Sequence, residues 1–262
     1  MDQLLNTAIE AAIKAGQAIL EVYHSGDFDI DIKSDDSPLT RADLASNGVI
    51  LSYLKDTGIP VLSEEGRQIP FEERKSWKQL WIVDPLDGTK EFIKKNGEFT
   101  VNIALVENGN VKMGVVYTPA LKELFVGADQ IGSFKVDNVT LFEPSLLERG
   151  QKLPIPSERK TYTIVASRSH MSPETEVFTR EKEKEHGQIK LISKGSSLKL
   201  CMVAEGLADC YPRFAPTMEW DTAAGHGVCQ FAGIDVIDLE TKSTMVYNRF
   251  SLLNNWFLVQ SK

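Results

Sequence analysis

Cysteine is scarce in this sequence, occurring only at Cys201, Cys210 and Cys229, an odd number with no CxxC pair. Each has apolar neighbours and no basic cluster beside it. That pattern predicts buried free thiols and a reducing compartment, and it argues against a disulfide framework or a thiolate metal site. Long apolar runs are also missing, since none reaches the roughly 18 to 20 residues that a membrane span needs. Positive charge is in short supply as well. The formal net charge of -8 disfavours a nucleic-acid polymer as partner, because such binding draws on a basic surface. There is no internal repeat and no low-complexity tract. The expectation is a cytoplasmic protein with a small-molecule partner.

What is present is the composition of an ordinary globular protein, 42% hydrophobic and 25% charged over 262 residues. A chain of this length can bury a core without disulfides, as one large α/β domain or two smaller ones packed together. The opening segment, MDQLLNTAIEAAIKAGQAILEVY, has an acid at its second position and apolar residues at helical spacing. It reads as an amphipathic helix over 4–24 and not as a signal peptide.

Polar and apolar residues alternate in DFDIDIK (27–33), which predicts a half-buried strand followed by a loop at SDDSP. Thr40 is placed to cap a helix running to about Asp56, ended by Gly58 and Pro60. A short strand PVLSEE follows, and QLWIVD (79–84) reads as a buried strand that stops at Pro85. Between 99 and 138, four strand-like runs split by turn residues predict an antiparallel meander. The polar stretch LERGQKLPIPSERK, with Pro154 and Pro156, is the linker candidate. Beyond it, strands (162–166, 188–193, 209–212, 234–238) alternate with helices (172–185, 196–206, 221–232), the signature of an α/β half. The charge run REKEKEH (180–186) is a solvated helix face. The expected division is an N-terminal α+β subdomain, 1–153, and a C-terminal α/β subdomain, 154–262.

Three acidic segments stand at strand ends or helix starts, where side chains can project into a shared crevice: LSEE (62–65), WIVDPLDGT (81–89) and EWDTAAGH (219–226). Asp-Gly alone is usually a turn, a Glu pair is usually exposed, and an Asp after Trp is usually a helix cap. Their combination points to one site. Mg²⁺ wants hard oxygen ligands, and a few carboxylates with one backbone carbonyl make a plausible shell. Asp84 and Asp87 can serve neighbouring ions, with Glu64 and Asp221 completing them. Gly88 and Thr89, opening a helical segment, offer N–H groups to a phosphate. Acids gathered on cations also remove the paradox of an acidic protein acting on an anion.

These strings, with KSDDSPLTRAD (33–43), DPLDGTKEFIKKNGEFTVNIAL and YPRFAPTMEWDTAAG (211–225), resemble the inositol monophosphatase superfamily of lithium-sensitive, magnesium-dependent phosphatases. Within it they are most similar to the 3'(2'),5'-bisphosphate nucleotidases of the CysQ type, and the likeness runs from the first helix to the last strand. It implies a layered αβαβα sandwich of two subdomains. It also implies a first ion on Glu64, Asp84 and the Leu86 carbonyl, a second on Asp84, Asp87 and Asp221, and a third, weaker one near Glu64. Li⁺ would inhibit by replacing Mg²⁺. By the same resemblance, Thr89 with Asp43 orients the attacking water, and Ser167, Arg168, Ser169 and His170 line the nucleotide site. Gly195, Ser196, Lys199 and Arg213 would contact the uncleaved phosphate or the ribose.

The implied reaction is removal of the 3'-phosphate of adenosine 3',5'-bisphosphate (PAP), with the sulfated nucleotide PAPS as a further substrate, and a place in sulfur assimilation. Lys199 reads equally well as a helix-surface lysine, and His170 as a strand-end surface histidine. His24, His186 and His226 read as structural or exposed. Three other functions compete: an inositol or sugar phosphatase of the same superfamily, an aspartyl-phosphate phosphatase of the haloacid dehalogenase type, and a non-catalytic magnesium or nucleotide sensor. The haloacid dehalogenase motif has one residue between its aspartates, whereas Pro85 and Leu86 both intervene here. The expected assembly is a monomer or homodimer with no integral membrane segment, although some relatives associate with membranes peripherally.

Overall fold

The computed structural model describes residues 3–26, 28–32, 38–156, 158–167 and 172–261. Seven α-helices occur among the described residues: α1 (Gln3–Ser25), α2 (Arg41–Leu54), α3 (Phe71–Arg74), α4 (Thr89–Ile93), α5 (Pro173–His186), α6 (Leu198–Glu205) and α7 (Glu219–Phe231). A two-stranded ribbon pairs β1 (Asp31–Ile32) with β2 (Pro38–Leu39). The first large sheet holds β3 (Val61–Ser63), β4 (Gln79–Asp87), β5 (Thr100–Glu107), β6 (Asn110–Thr118), β7 (Glu123–Ala128), β8 (Gly132–Val136) and β9 (Gln151–Lys152), side by side in chain order. Only β3 and β4 run parallel in it; the rest is the expected meander.

The second sheet is built from β10 (Tyr162–Ser167), β11 (Ile189–Lys194), β12 (Cys210–Arg213), β13 (Ile234–Asp238), β14 (Ser243–Thr244) and β15 (Phe257–Ser261), in the order β11-β10-β12-β15-β13-β14. Helices α1 and α2 cover the outer face of the first sheet, α6 and α7 lie between the sheets, and α5 covers the second. This is the five-layer αβαβα arrangement. One apolar cluster sits under α1 and α2, and a second fills the space around α6 and α7.

Close backbone approach explains the small residues of the central layer. A Cβ on Gly114 of β6 would stand 2.0 Å from the Ala224 carbonyl oxygen of α7, and one on Gly127 of β7 would stand 2.4 Å from that of Gly227. Glycine lets the helix rest on the sheet backbone. The run TAAGHG in α7 is therefore a packing surface, and it holds Asp221 at the edge of the first sheet.

Several local expectations need correction. Among the described residues of 27–33 only Asp31–Ile32 form a strand, both exposed; Phe28 packs on the core beside Phe92, but Ile30 and Ile32 are left 47% and 66% exposed. Asp27 and residues 33–37, which include most of the expected SDDSP loop, lie outside the described residues. Pro85 does not stop its strand. β4 continues to Asp87, and its register against β5 shifts between Asp84 and Asp87, an irregularity where a residue without an N–H is tolerated. The linker candidate, 147–160, contains β9, and Leu153 N–H and Ile155 N–H donate to Ser133 and Glu205 carbonyls at 2.8 and 3.0 Å. β15, not expected at all, lies between β12 and β13.

Other expectations match. Thr40 caps α2, its hydroxyl accepting from Ala42 N–H at 3.2 Å. A 3-10 turn, Lys55–Thr57, carries the chain on to Gly58, whose φ of 68° gives the left-handed exit. All three cysteines are free and buried. No helix among the described residues is long and apolar enough to cross a membrane.

Candidate active site

Strand register brings the first two acids together. Ser63 of β3 pairs with Val83 of β4, and Glu64 N–H donates to the Val83 carbonyl at 3.1 Å, so Glu64 emerges beside Asp84. The shift in β4 after Asp84 then carries Leu86 and Asp87 round into the turn at Gly88. Asp221 arrives from the opposite side, in the first turn of α7. Its carboxylate accepts Met218 N–H at 2.7 Å, which caps the helix and fixes the side chain.

The electrostatics show how closely the four acids meet. Asp84 is only 1% exposed. Burial pushes its carboxyl well above the usual range, and the charges of Glu64, Asp87 and Asp221 push it further. Asp221 is driven up to about 8, first by burial and then by Asp87, against the pull of the Met218 N–H. Burial also raises Asp87, opposed by Lys199, the Ser197 N–H, the Asn102 amide and Arg213.

Among the described residues no three acid, histidine or cysteine side chains already stand as a ligand group around one ion. Asp84 Oδ1 instead accepts Leu86 N–H at 3.1 Å, and Asp84 is hydrogen-bonded to Glu64. The donor chemistry still fits magnesium: the set is all oxygen, and Asp84 and Asp221 are raised by burial and then by neighbouring carboxylates, which a hard cation relieves.

Thr89 opens α4 after Gly88, whose φ of 91° makes the tight entry. Its hydroxyl lies 3.2 Å from Asp43 Oδ1 and 3.3 Å from the Leu86 carbonyl oxygen. The other Asp43 oxygen accepts both the N–H and the hydroxyl of Thr40, at 2.7 and 2.6 Å. Asp43, 2% exposed, is thus the capping acid of α2 and the partner of Thr89 at once.

Asp87, Gly88, Thr89 and Asp221 line one side of a cleft of about 940 Å³, counting its open mouth, and Gly195, Ser196, Lys199 and Arg213 line the other. Lys199 is buried, correcting the surface reading; it extends from α6 over Tyr211 and donates to the Lys194 and Ser196 carbonyls. Burial lowers its pKa to about 8, against the attraction of Asp87. Arg213 donates to the Ala215 and Pro216 carbonyls at 3.2 and 2.9 Å, which orients its guanidinium along the wall. The Ser167 side chain and all of Arg168, Ser169 and His170 lie outside the described residues. His24 and His186 are exposed, and His226 is buried against Tyr247.

Sequence reasoning missed the polar residues that hold this cleft in shape. Ser197 Oγ donates to Asn102 Oδ1 at 2.8 Å and sits 2.9 Å from Thr100 Oγ1. Asn254 donates to the Met218 carbonyl at 2.7 Å and to Thr222 at 3.1 Å, bracing the start of α7. Asn47 accepts from Ser63 at 2.8 Å, next to Glu64. The sequence held one signal for them, since Thr100 and Asn102 interrupt an otherwise apolar strand in FTVNIAL.

The chain matches the model of the inositol monophosphatase family over residues 1–261, and it belongs to that family. It is 42% identical over 259 residues to the 3'(2'),5'-bisphosphate nucleotidase CysQ of Salmonella typhimurium, covering 98% of this chain and 99% of that one. The Escherichia coli (strain K12) protein of the same name is 41% identical over 259 residues, with the same coverage. A crystal structure of CysQ from Bacteroides thetaiotaomicron superposes with a TM-score of 0.91 at 48% identity, over 98% of this chain and 96% of that one. Enzymes of this family depend on magnesium.

Proposed function

We propose that this chain is a 3'(2'),5'-bisphosphate nucleotidase of the CysQ type, a hydrolase that removes the 3'-phosphate of adenosine 3',5'-bisphosphate and acts on PAPS in the same way. One observation carries the reading: a single cleft faces a carboxylate cluster on one side and the buried Lys199 with Arg213 on the other. A substrate with two phosphates needs both, because the acids that gather cations cannot hold a second phosphate without them.

Glu64, Asp84, the Leu86 carbonyl, Asp87 and Asp221 would hold two or three magnesium ions. Bound magnesium supplies neutralisation of the charge that builds up on the transferring phosphoryl group. Glu64 and Thr89 flank the attacking water. The Thr89 hydroxyl hydrogen points to Asp43 Oδ1 or the Leu86 carbonyl, which leaves its lone pairs to accept a hydrogen from that water. Asp43, locked by Thr40, takes the proton. The new P–O bond forms as the P–O3' bond breaks, and the electron pair leaves on O3', which takes a proton from solvent water while Asp43 later returns its own to solvent. Gly88 and Thr89 orient the reacting phosphate, while Gly195, Ser196, Lys199 and Arg213 hold the one that stays. The segment Ser167, Arg168, Ser169 and His170 receives the nucleoside. The chain would work as a monomer or a homodimer, in the cytoplasm.

Phosphate release from PAP, PAPS and inositol 1-phosphate, measured side by side, tests the reading. PAP is expected to be cleaved fastest, with loss of turnover in EDTA and inhibition by Li⁺. Faster release from inositol 1-phosphate would move the chain to another branch of the family. Capture of a covalent phosphoenzyme by rapid quench would overturn direct attack by water.

A further inference from the structure

We propose that Glu98 is a positioning residue, clamping the 194–197 loop that leads into Lys199 of α6 against the Asp87–Thr89 turn; the proposal rests on the nucleotidase reading for its substrate arm only. Glu98 lies just before β5 and is 9% exposed. Its main chain is wedged between two glycine turns: its carbonyl oxygen would be 3.1 Å from a Cβ on Gly88 and 2.9 Å from one on Gly195. Both carboxylate oxygens reach the loop, Oε2 accepting Gly195 N–H at 3.0 Å and Oε1 accepting Lys194 Nζ at 3.2 Å.

Glu98 is the first of three polar residues at alternate positions. Thr100 and Asn102 follow on the same face of β5 and take Ser197. The loop has one further tie to the turn, the Ser197 N–H that donates to the Asp87 carboxylate. Ser196 holds a φ of 47°, and its hydroxyl oxygen is buried without a partner. Lys199 spends its hydrogen bonds on carbonyls within the loop itself. The distance between the Lys199 ammonium and the Asp87 carboxylate therefore depends on where β5, together with the Ser197 N–H on Asp87, holds residues 194–197. By pairing with Lys194, Glu98 also offsets a cation at the mouth that would compete for the anion.

Glu98→Ala and Glu98→Gln separate positioning from charge. Removing a buried acceptor from a backbone N–H is expected to raise KM for PAP about tenfold in Glu98→Ala, with kcat falling less. Glu98→Gln keeps an acceptor for Gly195 N–H and is expected to recover KM to within about threefold. With p-nitrophenyl phosphate, which has no nucleoside and no second phosphate, Glu98→Ala should raise KM by less than about threefold. Equal losses on both substrates, or no rescue by glutamine, would overturn the proposal. Hydrogen exchange over residues 194–200 judges the clamp whatever the substrate: faster exchange in Glu98→Ala but not in Glu98→Gln supports it, and unchanged exchange in both defeats it. Should the alanine variant not fold, Glu98→Asp carries the same comparison, retracting the acceptor by one methylene while keeping the charge. Wild-type indifference to PAP would count against the nucleotidase reading and leave the exchange result standing.

Discussion

Replacing Asp221 with Asn should make the metal-free protein more stable while removing its activity. The wild-type carboxyl is raised from 3.8 to about 8 by burial and by Asp87. A group raised in the folded state contributes stability below its unfolded value of 3.8 and loses it as pH climbs through about 8. That displacement corresponds to on the order of 5 kcal/mol. Asp221 is partly open to the cleft and shares its shift with Asp84 and Asp87, so we expect recovery of only about 2 kcal/mol in Asp221→Asn. The Asn oxygen still accepts Met218 N–H, and the helix cap survives. For a chain of this size the gain corresponds to a rise in Tm of about 4 to 8 °C at pH 8 in EDTA. It should shrink toward pH 5, where the wild-type acid is largely protonated, and Mg²⁺ should raise the Tm of wild type more than that of the variant. Thermal melts at both pH values, with and without Mg²⁺, measure this. A variant less stable than wild type at pH 8 in EDTA would refute the claim that the acids repel one another in the absence of cations.

His226 is fully buried, and desolvation holds its pKa down to about 4 from 6.5. Its neutral form stabilises the fold above 6.5, and the contribution is lost as pH falls toward 4, at a cost of about 3 kcal/mol. Urea titrations should show wild type losing that much more than His226→Gln across the window, and parallel curves would exclude it. Gly114→Ala drives a Cβ to within 2.0 Å of the Ala224 carbonyl oxygen. It should destabilise by about 3 kcal/mol or more, because the rigid methyl meets a helix carbonyl that cannot rotate aside. By contrast Gly48, in α2, has nothing within 4 Å of its added Cβ. Gly48→Ala should raise stability by about 0.5 to 1 kcal/mol, and differential scanning calorimetry of the pair checks both signs.

Much of the fold was legible from periodicity. The helical repeat of Leu5, Ile9, Ile13 and Ile19 marked the buried face of α1, and turn residues divided the meander into four strands. Isolated local signals failed where tertiary context decided. Alternation in DFDIDIK found a core only for Phe28, leaving Ile30 and Ile32 exposed. Pro85 was accommodated by an irregular register and by Ser46, which donates to its carbonyl at 2.6 Å. β15 could not be seen because FLVQS is short and finds its place only between β12 and β13, far away in sequence.

The acids were nameable from sequence because each chemical string is dense in unusual local features: a proline inside a strand, Asp-Gly before a helix, Trp-Asp at another helix start. Local order also determined that Thr40 would cap α2 and bring Asp43 into its first turn. Only the tertiary structure decided that Glu64 stands beside Asp84, since that depends on the pairing of β3 with β4. It alone set Asp221 opposite Asp87, through glycines that let α7 lie on the sheet, and buried Lys199 across the cleft. Covalent order can specify which groups are available, but the distances between charges on separate strands and helices follow from packing, and those distances set whether the carboxylates repel, pair or accept a cation.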